Sequence, residues 1–175
     1  MSDTLATARL TLRPRTSDDA VALFATMADA DVMRWWSRAP FGSVEDLRDH
    51  FADASPDRRD WAVARTGDDR AIGFVGTHRR RTGVSEIGYL FAREAWGSGI
   101  AREAVSAVIA HLFAGGERRL FADTDPDNAG SIRLLERLGF VLEGRLRAEW
   151  ETHIGVRDTL LYGLLQDEWN PSSPA

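Results

Sequence analysis

Glu86-Ile87-Gly88-Tyr89-Leu90-Phe91, a short spacer, and then Trp96-Gly97-Ser98-Gly99-Ile100-Ala101 form the stretch whose reading decides the fold. The first segment reads as a strand. The second opens a run in which Ala101, Ala104, Val105, Val108, Ile109 and Leu112 recur at helical spacing, the apolar stripe of an amphipathic helix. Gly115-Gly116 ends that run, as glycine does at helix C-termini. Two glycines in a strand-to-helix turn leave backbone N–H groups uncovered by side chains. The helix start adds further free N–H groups and the positive end of its dipole. Such a turn is a site for a phosphate or pyrophosphate.

Outward from that turn, the remaining segments alternate in type. Arg9-Leu10-Thr11-Leu12-Arg13 has the period of a strand. Ser17-Asp18-Asp19 heads a helix running through Val21, Leu23, Phe24 and Met27. A second helical region spans residues 44–54. Residues 61–65 and 71–77 read as strands joined by the turn Gly67-Asp68-Asp69, and Thr82-Gly83 turns into the strand ending at Phe91. After the central helix, residues 120–123 form a short strand. Asp127 or Asn128 caps a helix over residues 131–138, and Gly139 stops it. Residues 140–142 and 158–165 read as closing strands. Antiparallel strands followed by strand-helix-strand-helix-strand predict an α/β domain with a mixed sheet.

At 175 residues the chain has the length of one domain, expected over residues 1–169 with 170–175 as a disordered tail. Apolar residues make up 43% and charged residues 28%, an ordinary soluble balance. No apolar run approaches the ~20 residues that span a bilayer, and the N-terminus has no basic region followed by an apolar one. The expectation is a cytoplasmic protein with no membrane partner. With no cysteine, disulfides, thiolate catalysis and Cys-ligated zinc are excluded. The net charge of −5 argues against a nucleic-acid partner and suits a cation such as an amine.

The motifs resemble those of the GNAT acetyltransferases. Trp96-Gly97-Ser98-Gly99-Ile100-Ala101 is similar to the family's acetyl-CoA turn, usually Gln/Arg-x-x-Gly-x-Gly/Ala. Asn128-Ala129-Gly130-Ser131 followed by Leu138-Gly139-Phe140 is similar to its second cofactor motif, an Asn-led helix ending in Leu-Gly-Phe. Arg9-Leu10-Thr11-Leu12-Arg13-Pro14, the run from Asp158 to Tyr162, and Glu168-Trp169 resemble the ribosomal-protein N-terminal acetyltransferase branch (RimJ/RimL type). The resemblance covers residues 9 to 169. It implies a single-domain, mixed, mostly antiparallel twisted sheet flanked by helices. The implied reaction is direct acetyl transfer from acetyl-CoA, as co-substrate and without a metal, to a primary amine. The acceptor would be a protein N-terminus or a small amine. Two departures stand out: Trp96 in place of Gln or Arg, and Leu135 where many relatives carry a tyrosine that protonates the departing thiolate.

The resemblance also assigns roles residue by residue. Gly97, Ser98, Gly99, Ile100 and Ala101, with Trp96, would hold the CoA pyrophosphate. The backbone of Tyr89, Leu90 and Phe91 would pair with the pantetheine arm as an added strand. A bulge in that strand would aim an N–H at the thioester oxygen. Asn128 would cap its helix or bond the pantetheine amide. Glu86 is the candidate base, acting through water; it would otherwise be a strand glutamate facing solvent or paired with Arg79 or Arg81. Ser131 is the candidate acid for the thiolate, or else a first-turn serine bonding its own helix. Trp35 and Trp36 would line the acceptor wall or fix a helix to the sheet. Glu149, with Glu151 and Asp158, would bind the acceptor cation.

Other motifs fail. Gly97-x-Gly99 lacks the third glycine of a dinucleotide fingerprint, with Arg102 there instead. Asp123-x-Asp125-x-Asp127 imitates the start of a calcium loop, but Asn128 holds its glycine position and Leu134 its closing glutamate position. His50, His78, His111 and His153 make no metal-ligand pair at helical spacing, and His111 is expected on the helix surface. Arg79-Arg80-Arg81 reads as a solvated hairpin tip. The rival reading from another class is a CoA-binding sensor or scaffold without transfer activity, kept open by Leu135. A homodimer through exposed sheet edges is a further expectation.

Overall fold

The computed structural model describes residues 4–53 and 55–170. Its strands are β1 (Leu5–Ala6), β2 (Leu10–Pro14), β3 (Arg58–Arg65), β4 (Ala71–Arg81), β5 (Val84–Phe91), β6 (Arg119–Thr124), β7 (Val141–Thr152) and β8 (Gly155–Leu165). Its helices are α1 (Asp19–Met27), α2 (Val44–Ala52), α3 (Ile100–Ala114) and α4 (Ala129–Arg137), with a 3₁₀ turn at Arg93–Ala95. The strands form one sheet in the order β1-β2-β3-β4-β5-β6-β8-β7. Every neighbouring pair is antiparallel except β5–β6, which is parallel.

Strand alternation explains why helices cover both faces. Trp61, Val63, Val75, Ile87 and Phe91 point to one side and pack with Ala104, Val105, Val108, Ile109 and Leu112 of α3 and Leu135 of α4. Ala62, Phe74 and Leu90, their neighbours in sequence, point to the other side and pack with Leu23 and Met27 of α1 and Leu47 and Phe51 of α2. Burying each such Leu, Val or Phe contributes roughly 1.5–3 kcal/mol.

The feature that positions the site is a parting of strands. β5 and β6 pair only at Val84–Arg119, Ser85–Leu120 and Glu86–Phe121. Beyond Glu86, β5 keeps β4 as its partner up to Phe91. Beyond Phe121, β6 keeps only β8. A cleft therefore opens between the C-terminal ends of two parallel strands, with the head of α3 following one and the head of α4 following the other.

Several elements differ from what the sequence predicts. Helix α2 ends at Ala52, two residues before the expected Ala54, which lies outside the described residues, as do residues 171–175 of the expected tail. Strand β1, only two residues long, carries no periodic signal. The closing strands are longer than expected and form a hairpin, β7–β8, that turns at 153–154. Along β7, Glu143, Arg145, Arg147, Glu149 and Glu151 alternate with Leu142, Leu146 and Trp150, but these apolar side chains are exposed rather than turned into a core. Glu143 of β7 reaches across β8 to Arg119 of β6 at 2.6 Å, over Gly163, where a Cβ would clash with the Glu143 carboxylate. Arg145 bonds Asp158 at 2.8 Å.

Candidate active site

The glycine turn forms as its sequence demands. Gly97 (φ +67°) and Gly99 (φ +78°) occupy the left-handed region, where a side chain is strained. They reverse the chain between the 3₁₀ turn and α3. The N–H groups of residues 97–101 make no backbone hydrogen bond among the described residues. A Cβ built on Gly97 would meet nothing within 4 Å, so these donors face open space at a helix N-terminus.

Arg9, a plain strand residue by its sequence, buttresses this cradle. Its Nη1 donates to the Ser98 carbonyl at 3.0 Å and its Nε to Glu103 at 2.7 Å. Thr7 Oγ1 donates to Glu103 as well, at 2.6 Å. Burial would raise the Glu103 carboxyl, but the bonds from Thr7 and Arg9 outweigh it and hold it below the usual range. An anion in the first turn of α3 suits the dipole there. Trp96 belongs to the same loop, but its indole N–H donates to the Phe91 carbonyl at 2.9 Å. It closes the end of β5, with Arg93 over its ring and half its surface exposed.

Across the cleft, Asn128 caps α4: its Oδ1 accepts the Ser131 N–H at 3.1 Å. That leaves the Asn128 amide hydrogens for another partner, so the two roles expected of this side chain are compatible. Ser131 Oγ lies 2.8 Å from the Tyr89 hydroxyl, a contact no local signal shows, since 42 residues separate the two. Leu135 is fully buried in the core and takes no part in the cleft.

Glu86 lies at the last β5–β6 pair. It is paired with Arg80, the middle residue of the arginine run, with Arg80 Nε at 2.7 Å. Arg79 and Arg81, the partners expected from sequence, do not take this place; Arg79 instead faces Glu117. By strand alternation Glu86 shares a face with Leu90 and the α1–α2 core, whereas Tyr89 faces α3 and α4. The candidate base and the candidate acid thus approach the parted edge of β5 from opposite faces. The implied bulge is absent: β4–β5 register runs without a shift from Gly73–Phe91 to Arg79–Ser85. The edge of β5 is laid open by the departure of β6 rather than by an extra residue.

The two tryptophans separate in role. Trp36 packs on Phe74, ring centroids 5.8 Å apart, within the α1–α2 core. Trp35 points the other way, its ring centroid 5.8 Å from the Arg157 guanidinium. Arg157 is gripped by Asp125 at 2.8 Å and Asp127 at 2.5 Å, and Asp123 accepts from Trp150 at 2.7 Å and Thr159 at 3.2 Å. The calcium-like triplet is thereby occupied by protein donors. Glu149 is exposed in an irregular stretch of β7 between Leu146 and Trp150. There Ala148 has φ +51°, and its N–H donates to Asp158 at 2.8 Å. His111 is not on the open helix surface; it packs edge-on against the buried Trp61, 5.7 Å between ring centroids.

Comparison with known proteins shows the family and the fold. A family model described as an acetyltransferase (GNAT) domain matches residues 9–141. The uncharacterized N-acetyltransferase p20 of Bacillus licheniformis is 33% identical over 177 residues, covering 95% of this chain and 98% of its own length. Among crystal structures, a probable acetyltransferase of the GNAT family from Chromobacterium violaceum ATCC 12472 is similar with a TM-score of 0.89 at 27% identity. That match covers 97% of this chain and 89% of the other. The spermidine N-acetyltransferase of Vibrio cholerae, solved with CoA and spermine, matches with a TM-score of 0.80 at 22% identity, covering 93% and 98%, a likeness of fold alone.

Proposed function

The chain belongs to the GNAT acetyltransferase family and is an acyltransferase, and from that premise we propose that it transfers acetyl from acetyl-CoA to the α-amino group of a polypeptide N-terminus. The observation that carries the reading is the open row of N–H groups at residues 97–101, with Arg9 beside it, at the mouth of the β5–β6 cleft. These residues suit a pyrophosphate: Gly97, Ser98, Gly99, Ile100 and Ala101 would donate backbone N–H groups, and Arg9 would supply countercharge. The unpaired edge of β5 at Tyr89, Leu90 and Phe91 would take the pantetheine arm as an added strand, and the Asn128 amide would bond it from the α4 side. When bound, acetyl-CoA supplies the activated acetyl group as its thioester.

The preference for an α-amine rests on Glu86. Its Oε2 is already bonded to Arg80, so only limited help is on offer for deprotonating an amine. An α-amino group, near ~8, needs far less than a lysine-type amine near ~10.4. Glu86 would accept the surplus proton through water, while Ser131 would offer its hydroxyl to the departing sulfur from the opposite face. Trp35 and the exposed Glu149 would border the acceptor, with Trp36 fixing that wall to the sheet through Phe74. The RimJ/RimL-like residues at either end of the chain support the same acceptor class.

The test is release of free CoA thiol from acetyl-CoA against an amine panel. Peptides with free Ser or Ala N-termini should stimulate release. Stimulation by polyamines, aminoglycosides or amino acids alone would reassign the acceptor to a small amine. Measurable acetyl-CoA binding with no stimulation by any class would overturn the transfer reading.

A further inference from the structure

We propose that Tyr89 is a positioning residue that directs the hydroxyl hydrogen of Ser131 into the cleft, toward the thioester sulfur; this rests on the donor site described above. A serine hydroxyl has one hydrogen and two acceptor lone pairs, and a phenol likewise both donates and accepts. In the first turn of a helix a serine ordinarily bonds its own backbone. Here Asn128 caps α4 by taking the Ser131 N–H, and the serine side chain bonds across the cleft instead. The partner of Ser131 Oγ is the Tyr89 hydroxyl at 2.8 Å.

Two arrangements of that bond are possible, and their cost differs. If Ser131 donates to Tyr89, the serine hydrogen is used up. The phenol hydrogen is then left with the Ser131 carbonyl at 3.5 Å, at the limit of a useful bond. If Tyr89 donates to Ser131 Oγ, the phenol is satisfied at 2.8 Å and the serine hydrogen must point away from it. Burial pushes the Tyr89 phenol up to about 12, so it keeps its hydrogen at neutral pH. The second arrangement is the better one, and it frees a hydroxyl hydrogen at the head of α4.

Topology places the dyad beside the cleft. Tyr89 stands three residues past Glu86, the last residue of β5 paired with β6. The dyad bridges the gap that the parting strands open and ties the head of α4 to β5. As the amine nitrogen bonds the carbonyl carbon and the C–S bond breaks, the electron pair stays on sulfur. The Ser131 O–H then donates a hydrogen bond to it. The amine's surplus proton leaves by way of Glu86 and water, and neither Ser131 nor Tyr89 need ionise. Leu135, fully buried, supplies no hydroxyl for this purpose.

The experiment reads bound CoA directly, without any acceptor. The ultraviolet thiolate absorbance of CoA bound to the full chain is followed against pH for the parent, Tyr89→Phe, Ser131→Ala and the double variant. Tyr89→Phe should raise the pH of half-ionisation by about one pH unit, a roughly tenfold loss of thiolate stabilisation. Ser131→Ala should do the same, and the double variant should show no further rise, because both changes remove one hydrogen bond. Ser131→Thr, which keeps the hydroxyl, should behave as the parent and stay sensitive to Tyr89→Phe. In turnover, Tyr89→Phe should lower kcat about tenfold with KM for acetyl-CoA unchanged. Thiol ionisation unmoved by Tyr89→Phe, or moved equally with and without Ser131, overturns the proposal. A Tyr89-dependent ionisation with no transfer to any amine leaves the dyad standing and overturns the acceptor reading instead.

Discussion

Single side chains in this protein do their work through partners far away in sequence or across a turn. Glu86 illustrates this, because Arg80 holds one of its carboxylate oxygens, and on our proposal its carboxylate accepts the amine's proton through water. Glu86→Gln should therefore cost a peptide α-amine less than about tenfold in kcat at neutral pH. A lysine-type amine, which needs its proton removed, should lose on the order of 100-fold. Comparing kcat for both acceptors across pH checks this; equal losses would deny Glu86 the role of base. Ala148 makes the opposite point about backbone. It sits at φ +51°, where an L-residue is strained by about 1–2 kcal/mol, held there by Asp158. Ala148→Gly should remove that strain at an entropic cost of about 0.4–1 kcal/mol. The net gain is up to about 1.6 kcal/mol, read as a Tm increase of at most roughly 3–6 °C. At this scale sequence is a partial guide: Ser131, Asn128 and Glu86 can be picked out by their position in motifs, whereas Arg9, Arg80, Arg157 and the Tyr89 hydroxyl cannot, because tertiary packing alone brings them in.

Elements are the scale at which local chemistry is most legible. The turn into α3 needs two left-handed residues, only glycine takes that conformation without strain, and both glycines stand in the sequence at Gly97 and Gly99. Gly99→Glu puts a strained backbone and an anion at the row of N–H donors. If the pyrophosphate sits there as we propose, affinity for acetyl-CoA, measured by calorimetry, should fall at least about tenfold, since such recognition depends on uncovered donors. Unchanged affinity would place the pyrophosphate elsewhere. Helix α3 declares itself through its apolar stripe and its closing glycines. Strand β7 is harder to read: Glu143, Arg145, Arg147, Glu149 and Glu151 alternate with Leu142, Leu146 and Trp150, but that apolar set is exposed and the register shifts between Leu142 and Gly144 and between Leu146 and Trp150. Its register is set by ion pairs to β8 and β6 and by the space that Gly163 leaves, none of which shows in periodicity.

For the whole molecule, buried charge sets how the fold responds to acid and to substitution. Asp19 is almost fully buried; burial would raise its carboxyl, but Arg13 and the Thr16 N–H outweigh that and hold it below the usual range. Asp125 is held down in the same way, against burial, by Arg157 and the Asp127 N–H. A carboxyl depressed in the folded state stabilises it above the ordinary carboxylate range and loses that contribution as pH falls through the depressed value. Stability measured by urea titration should therefore fall with pH below about 4, and Asp19→Asn should flatten that dependence while lowering stability at neutral pH. Arg15 is buried against the ring of Phe51 and paired with Asp60. Asp60→Asn strips its countercharge and should cost about 3–5 kcal/mol, a Tm loss of roughly 10 °C. By itself the sequence determined the strand–turn–helix with its row of open N–H groups, the capped α4 and the α/β order, because each depends on spacing and backbone preference within a single element and its flanking turn. The parting of β5 from β6, the Tyr89–Ser131 bond, the pairing of Glu86 with Arg80 and the division of Trp35 from Trp36 were decided by tertiary structure. Each depends on which strand or helix becomes a neighbour and in what register, and that follows from burying two apolar faces at once rather than from any local pattern.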